Sequence, residues 1–155
     1  MTRVLFVCLG NICRSPTAQG VFEAMLAERG LQAHYTVDSA GTGGYHAGEA
    51  PDRRAQLAAR RRGYDLSAQR ARAVCADDFE QFDLILAMDR SNLENLLRVA
   101  PANCAARIRL FMSYAPSLPA EVPDPYFGGD EGFEQVLDML EAASAGLLDE
   151  AHNGC

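Results

Sequence analysis

Cys8 and Arg14 stand six residues apart, with Leu9-Gly10-Asn11-Ile12-Cys13 between them and Ser15-Pro16 directly after. A thiol and a guanidinium at this spacing suit phosphate chemistry if the chain between them folds as a loop. The guanidinium can grip a phosphate through two parallel hydrogen bonds. A helix starting just beyond it would add unpaired N–H groups and the positive end of its dipole. A cysteine in such a field favours its thiolate, because comparable settings bring thiols into the ~3.5–7.5 range. A thiolate facing a bound phosphate can attack phosphorus in line and form a phosphocysteine. Gly10 allows a tight inward turn, and Asn11 tolerates left-handed backbone angles. The Ser15 hydroxyl can donate to the sulfur and later ease its departure.

The bare spacing is weak evidence. With five cysteines and 14 arginines in 155 residues, chance supplies such a pair in roughly every second chain, and a free cysteine at a strand end is usually a packing residue. The flanks supply what the spacing lacks. Residues 3–8 are a short apolar run that reads as a buried strand, while Ser15 and Pro16 match the cap and first positions of a helix. An anion-binding loop is therefore expected between the two.

A phenolate leaves a phosphate ester more easily if a proton arrives with it. Asp124 lies between Pro123 and Pro125, which stiffen the backbone, and next to Tyr126. Apolar neighbours in this loop favour a protonated carboxyl, which after transfer can act as base toward water. A turn aspartate fits the same residues equally well. His34, His46 and His152 read as surface or structural residues.

These groups need a frame. Helical spacing of Val21, Phe22, Met25 and Leu26 predicts a helix over residues 17–29, closed by Gly30. Residues 34–38 read as a strand and lead into a glycine-rich loop. Further helices are expected over 51–63, from 91 to about 99 and over 131–148, with a buried strand over 83–87 and another open at 108–112. Residues 116–129 hold four prolines and two glycines and read as a surface loop. Alternating strands and helices imply one α/β domain over residues 1–155, its parallel sheet covered on both faces. Ligands in such folds sit at the carboxyl ends of the strands, where the loop after the first strand lies.

The net charge of -7, with every basic residue an arginine, disfavours nonspecific contact with nucleic acid or anionic membrane. The run Arg60-Arg61-Arg62 reads as a solvated face. No window approaches ~18 apolar residues, and the N-terminal apolar stretch is too short for a signal peptide, so a cytoplasmic location is expected. Cys8, Cys13, Cys75, Cys104 and Cys155 form neither a disulfide framework nor a zinc pattern.

The run Val7-Cys8-Leu9-Gly10-Asn11-Ile12-Cys13-Arg14-Ser15-Pro16 resembles the signature of the low-molecular-weight protein tyrosine phosphatases. The likeness continues through Asp38-Ser39-Ala40-Gly41-Thr42, Asp77-Asp78-Phe79 with Phe82-Asp83, Met88-Asp89 with Asn92, and Asp124-Pro125-Tyr126. It spans nearly the whole chain. It implies four parallel strands with flanking helices, no metal and no organic cofactor. It implies Cys8 as nucleophile, Arg14 as phosphate grip and Asp124 as general acid and base, with residues Leu9 to Ser15 cradling the phosphate. Asn11, Ser15 and Ser39 would hold the loop in shape, and Leu9, Ile12, Tyr45, Tyr126 and Phe127 would wall the cleft. The implied partners are tyrosine-phosphorylated proteins, a tyrosine kinase among them, and inorganic phosphate. Cys13 would trap oxidised Cys8 as a disulfide.

Departures from the pattern stand at Gln69, where many relatives have His completing the polar network, at Tyr45, where Trp is common, and at Phe127, where some have Tyr. Gln can donate and accept, so the network is expected to persist in altered form. Rival readings are an arsenate reductase or arginine phosphatase of the same fold, or a phosphocysteine carrier domain. The first needs a further close cysteine pair, the second resembles the same signature with Thr at the place of Ile12, and the third lacks the Arg14 grip and the acid.

Overall fold

The computed structural model describes every residue except Ala105, Phe127, Gly154 and Cys155, and leaves out the side chains of Asp130 and Asn153. The expected cleft residue Phe127 therefore lies outside the described residues. Four parallel strands form one sheet in the order β2-β1-β3-β4, with β1 at Thr2–Cys8, β2 at Tyr35–Gly41, β3 at Leu84–Ala87 and β4 at Arg107–Leu110. Five helices accompany them: α1 (Arg14–Arg29), α2 (Arg53–Arg61), α3 (Asp78–Gln81), α4 (Arg90–Val99) and α5 (Asp130–Asn153).

The period of two along β1 sorts its side chains between two layers. Val4, Phe6 and Cys8 face α1 and α5, where Phe22, Leu140 and Leu147 complete a core. Leu5 and Val7 face the opposite layer with Phe79 of α3 and Leu96 of α4. Phe6 meets Phe22 and Phe111 edge to face, with ring centroids 5.6 and 4.9 Å apart. Each such fully buried ring contributes roughly 1.5–3 kcal/mol. Both faces of the sheet are covered, which is why β1 and β3 are almost wholly apolar. Among the described residues no helix is long and apolar enough to cross a membrane.

Several boundaries differ from the sequence expectation. The first helix starts at Arg14, with Cys13 at the cap position and no side-chain cap. Ser15 does not cap it because its hydroxyl is engaged with Asn11 and Cys8. The last strand stops at Leu110, and Phe111–Tyr114 turn into a single 3-10 turn that drops Phe111 and Met112 into the core. The four-residue helix α3 was not expected; it is too short to show a helical period. Asp52 caps α2 and Asp89 caps α4 through their carboxylates. The arginine run is not simply solvated, since Arg62 reaches Glu134, Asp138 and Glu141 of α5 and clasps α2 against it.

Candidate active site

Residues 9–13 connect the carboxyl end of β1 to α1, at the point where β1 runs between β2 and β3. The loop closes around the Cys8 sulfur. The Asn11 N–H donates to Sγ at 3.3 Å, and Ser15 Oγ lies 3.0 Å from it. Asn11 is the one described residue other than glycine with positive φ, at 57°. That left-handed bend falls on Asn11 rather than on Gly10. Asn is among the few residues that accept it at modest cost.

The bend is held by the Asn11 side chain. Its Nδ2 donates to Ser15 Oγ at 2.8 Å and to Ser39 Oγ at 3.0 Å, and its Oδ1 accepts the Arg72 N–H at 3.0 Å. Because Asn11 donates to Ser15, the serine's own hydrogen is left for the sulfur at 3.0 Å or the Ala40 carbonyl at 3.4 Å. Ser39 donates to Gln19 Oε1 at 2.8 Å, while Gln69 Oε1 is a more distant acceptor at 3.4 Å. Gln69 instead spends its amide on the Pro16 carbonyl at 3.0 Å. Gln69 thus touches this network, whose nearest link to Ser39 is Gln19, a residue that sequence reading overlooked. Gly41 admits the loop to the sheet edge: a Cβ there would lie 2.6 Å from the Leu9 carbonyl oxygen.

Arg14 is buried, with its guanidinium donating to Asp89 Oδ2 at 2.6 Å and to the Val122 carbonyl at 3.1 Å. Burial opposes its charge, but Cys8, Asp89 and Asp124 outweigh that cost and raise its pKa. The cation is oriented before any ligand arrives, which lowers the cost of gripping one. In sequence Asp89 stood within the family likeness but was given no role; here one of its oxygens caps α4 and the other holds Arg14.

Asp124 comes from the loop after β4. The Val122 N–H donates to the Met88 carbonyl at 2.8 Å, which moors that loop over the end of β3. Asp124 Oδ2 then stands 3.8 Å from Arg14 Nη2, while its Oδ1 accepts the Tyr126 N–H at 3.0 Å. Arg54, another residue the sequence did not single out, steadies the far side of the loop. It donates to the carbonyls of Tyr126 at 2.6 Å and Gly128 at 3.2 Å and lies over the rings of Tyr126 and Phe133.

Together these segments enclose a cleft of about 140 Å³, with Cys8, Arg14 and Asp124 on its surface. Leu9, Ile12, Tyr45 and Tyr126 form its walls. His46, read from sequence as a surface or structural residue, also lines it and bonds Glu49 at 2.9 Å. Asn11 and Ser15 lie behind the sulfur rather than on the cleft surface. Cys13, almost fully buried, also lines the cleft; burial first, then the charges of Asp52 and Cys8, push its thiol pKa far up. Among the described residues no group of three or more His, Cys, Asp or Glu could hold a metal ion.

Residues 3–153 match the family model of the low molecular weight phosphotyrosine protein phosphatases. A low molecular weight protein-tyrosine-phosphatase of Streptomyces coelicolor is 47% identical over 150 residues, covering 94% of this chain and 91% of its own. The crystal structure of a protein tyrosine phosphatase from Entamoeba histolytica superposes with a TM-score of 0.95 at 39% identity, covering 99% of each chain. A Drosophila arginine phosphatase superposes with a TM-score of 0.92 at 33% identity, covering 98% of each. With a match that runs through both the sulfur loop and the aspartate loop, the chain belongs to the low molecular weight phosphotyrosine protein phosphatase family.

Proposed function

We propose that this protein hydrolyses phosphotyrosine in other proteins to tyrosine and phosphate through a phosphocysteine. The observation that carries this reading is the convergence of the Cys8 sulfur, the Arg14 guanidinium and the Asp124 carboxyl on one cleft with apolar and aromatic walls. Arg14 and the N–H groups of the loop bind the phosphate. The Cys8 thiolate attacks phosphorus, an S–P bond forms, and the bond from phosphorus to the phenolic oxygen breaks. Asp124 gives its proton to that oxygen, so tyrosine leaves neutral. In the second step the Asp124 carboxylate takes a proton from water, oxygen bonds to phosphorus, and the S–P bond breaks. Ser15, 3.0 Å from the sulfur, stabilises the departing thiolate.

The apolar wall at Ile12 suits a flat phenyl ring, whereas a guanidinium needs polar partners for the N–H groups along its edge. Cys104 directs its thiol to the carbonyls of Phe79 and Ala106, away from the cleft, which gives no support to a disulfide relay. The test is a turnover panel of phenyl phosphate, phosphotyrosine, phosphoserine and phosphoarginine peptides, and arsenate. Hydrolysis of the two aryl esters at rates well above the others is expected; faster turnover of phosphoarginine or reduction of arsenate would overturn the reading.

Cys13 belongs to the same reading as a redox partner of Cys8. Peroxide oxidises the Cys8 thiolate to a sulfenic acid, and the Cys13 thiol displaces water from it to form a disulfide. Conversion of the thiolate to a neutral sulfenic acid removes one of the charges that hold the Cys13 proton in place. Peroxide-treated wild type is expected to regain activity with added thiol, and Cys13→Ser to regain far less. Equal recovery, or an oxidised wild type whose mass is not two hydrogens lighter, would show that Cys13 has only a packing role.

A further inference from the structure

We propose that a hollow beside the catalytic cleft binds the polypeptide next to the phosphotyrosine, accepting an apolar side chain and an adjacent carboxylate. The proposal rests on the phosphotyrosine reading and extends it to the class of sequence recognised. The hollow measures about 390 Å³, larger than the cleft itself. Val74, Phe79 and Leu96 give it an apolar floor. Phe79 and Leu96 are buried in the layer beneath the sheet, so the floor is part of the core and does not need to be assembled on binding.

Two observations point to substrate as the occupant. The first is continuity. Leu9 and Tyr45 line both the cleft and the hollow, and both project into solvent, at 43% and 75% exposure. A chain whose phosphotyrosine sits between these side chains must cross the same ridge to continue. An extended chain advances ~3.3 Å per residue, so the residues one to three positions away fall over the hollow. The hollow is also tied to the reacting sulfur: the N–H groups of Thr42 and Gly43, on its edge, donate to the carbonyls of Cys8 and Leu9, each at 2.9 Å. Contacts made there position the peptide relative to Cys8.

The second observation is polar. Asn95 and Arg98 reach the hollow from α4, and among the described residues neither side chain makes a hydrogen bond or ion pair. An uncommitted guanidinium at the edge of an apolar hollow, on a chain of net charge -7, is a local site for a carboxylate. Val99, 63% exposed on the same rim, extends the apolar surface.

The experiment compares kcat/KM of wild type, Arg98→Glu and Asn95→Trp on three substrates. These are phenyl phosphate, a phosphotyrosine peptide flanked on both sides by Leu and Glu, and one flanked by Gly and Lys. Wild type should prefer the Leu/Glu peptide by roughly tenfold or more, the worth of one good apolar contact. Arg98→Glu should abolish or reverse that preference, and Asn95→Trp, which fills the hollow, should lower both peptides toward each other. Phenyl phosphate, too small to reach the hollow, should be turned over equally by all three proteins. Unchanged peptide selectivity in the variants would overturn the subsite. So would a parallel loss on phenyl phosphate, or a dimer that only the variants dissociate while selectivity stays the same. Failure of wild type on all three substrates would instead remove the phosphotyrosine reading, and the subsite with it.

Discussion

Cys8→Ser is expected to lose turnover by roughly 10⁶-fold, the scale seen when an enzymic nucleophile is removed, while still binding inorganic phosphate. A serine hydroxyl at its ordinary pKa supplies almost no alkoxide at neutral pH, so the attacking species disappears. The loop should survive the exchange. Its bend is set by Asn11 through Ser15, Ser39 and the Arg72 N–H, and Arg14 is oriented by Asp89 and the Val122 carbonyl. None of these contacts uses the sulfur. Phosphate titration by calorimetry and initial rates on phenyl phosphate test the two halves separately. Turnover within tenfold of wild type would remove Cys8 from the reaction.

Asp124→Asn should slow phenyl phosphate hydrolysis by about 10²–10⁴, the usual worth of a general acid. The substitution is conservative for the fold, because an amide oxygen can still accept the Tyr126 N–H that Asp124 Oδ1 holds at 3.0 Å. It removes the one proton that the cleft offers to the leaving oxygen in the proposed reaction. The loss should shrink for activated aryl phosphates whose phenolate leaves unaided. Rates measured across a series of substituted phenyl phosphates give the slope that decides the role. An equal loss across the series would make Asp124 a structural residue of the loop.

What could be read in the sequence was what neighbouring residues decide among themselves. Residues 3–16 form strand, loop and helix start in one continuous stretch, so the anion-binding loop follows from local backbone preference and residue type. Even there the detail slipped. Ser15 looks like a helix cap by type, and only the arrival of Asn11 and Cys8 at its hydroxyl decides otherwise. The unbroken apolar run of β1 and the helical spacing in α1 likewise announced a buried strand under a packed helix, because burial imposes those patterns on the chain directly.

The cleft itself was decided by contacts between distant segments. Asp124 and Arg14 are 110 positions apart in the chain, and their 3.8 Å approach depends on a loop moored to the Met88 carbonyl. By type alone, Asp124 was equally good as a turn residue, and family resemblance rather than local physics favoured the acid. Asp89, Gln19, Arg54 and His46 carried no local sign of the site, since a capping aspartate, a helical glutamine, a surface arginine and a loop histidine look alike wherever they fall. Their roles arise when β3, α1, α2 and the segment after β2 converge on the carboxyl end of the sheet. Backbone propensity acts over a few residues. Which side chains meet across the cleft is set by how the whole elements pack, and only the tertiary structure contains that.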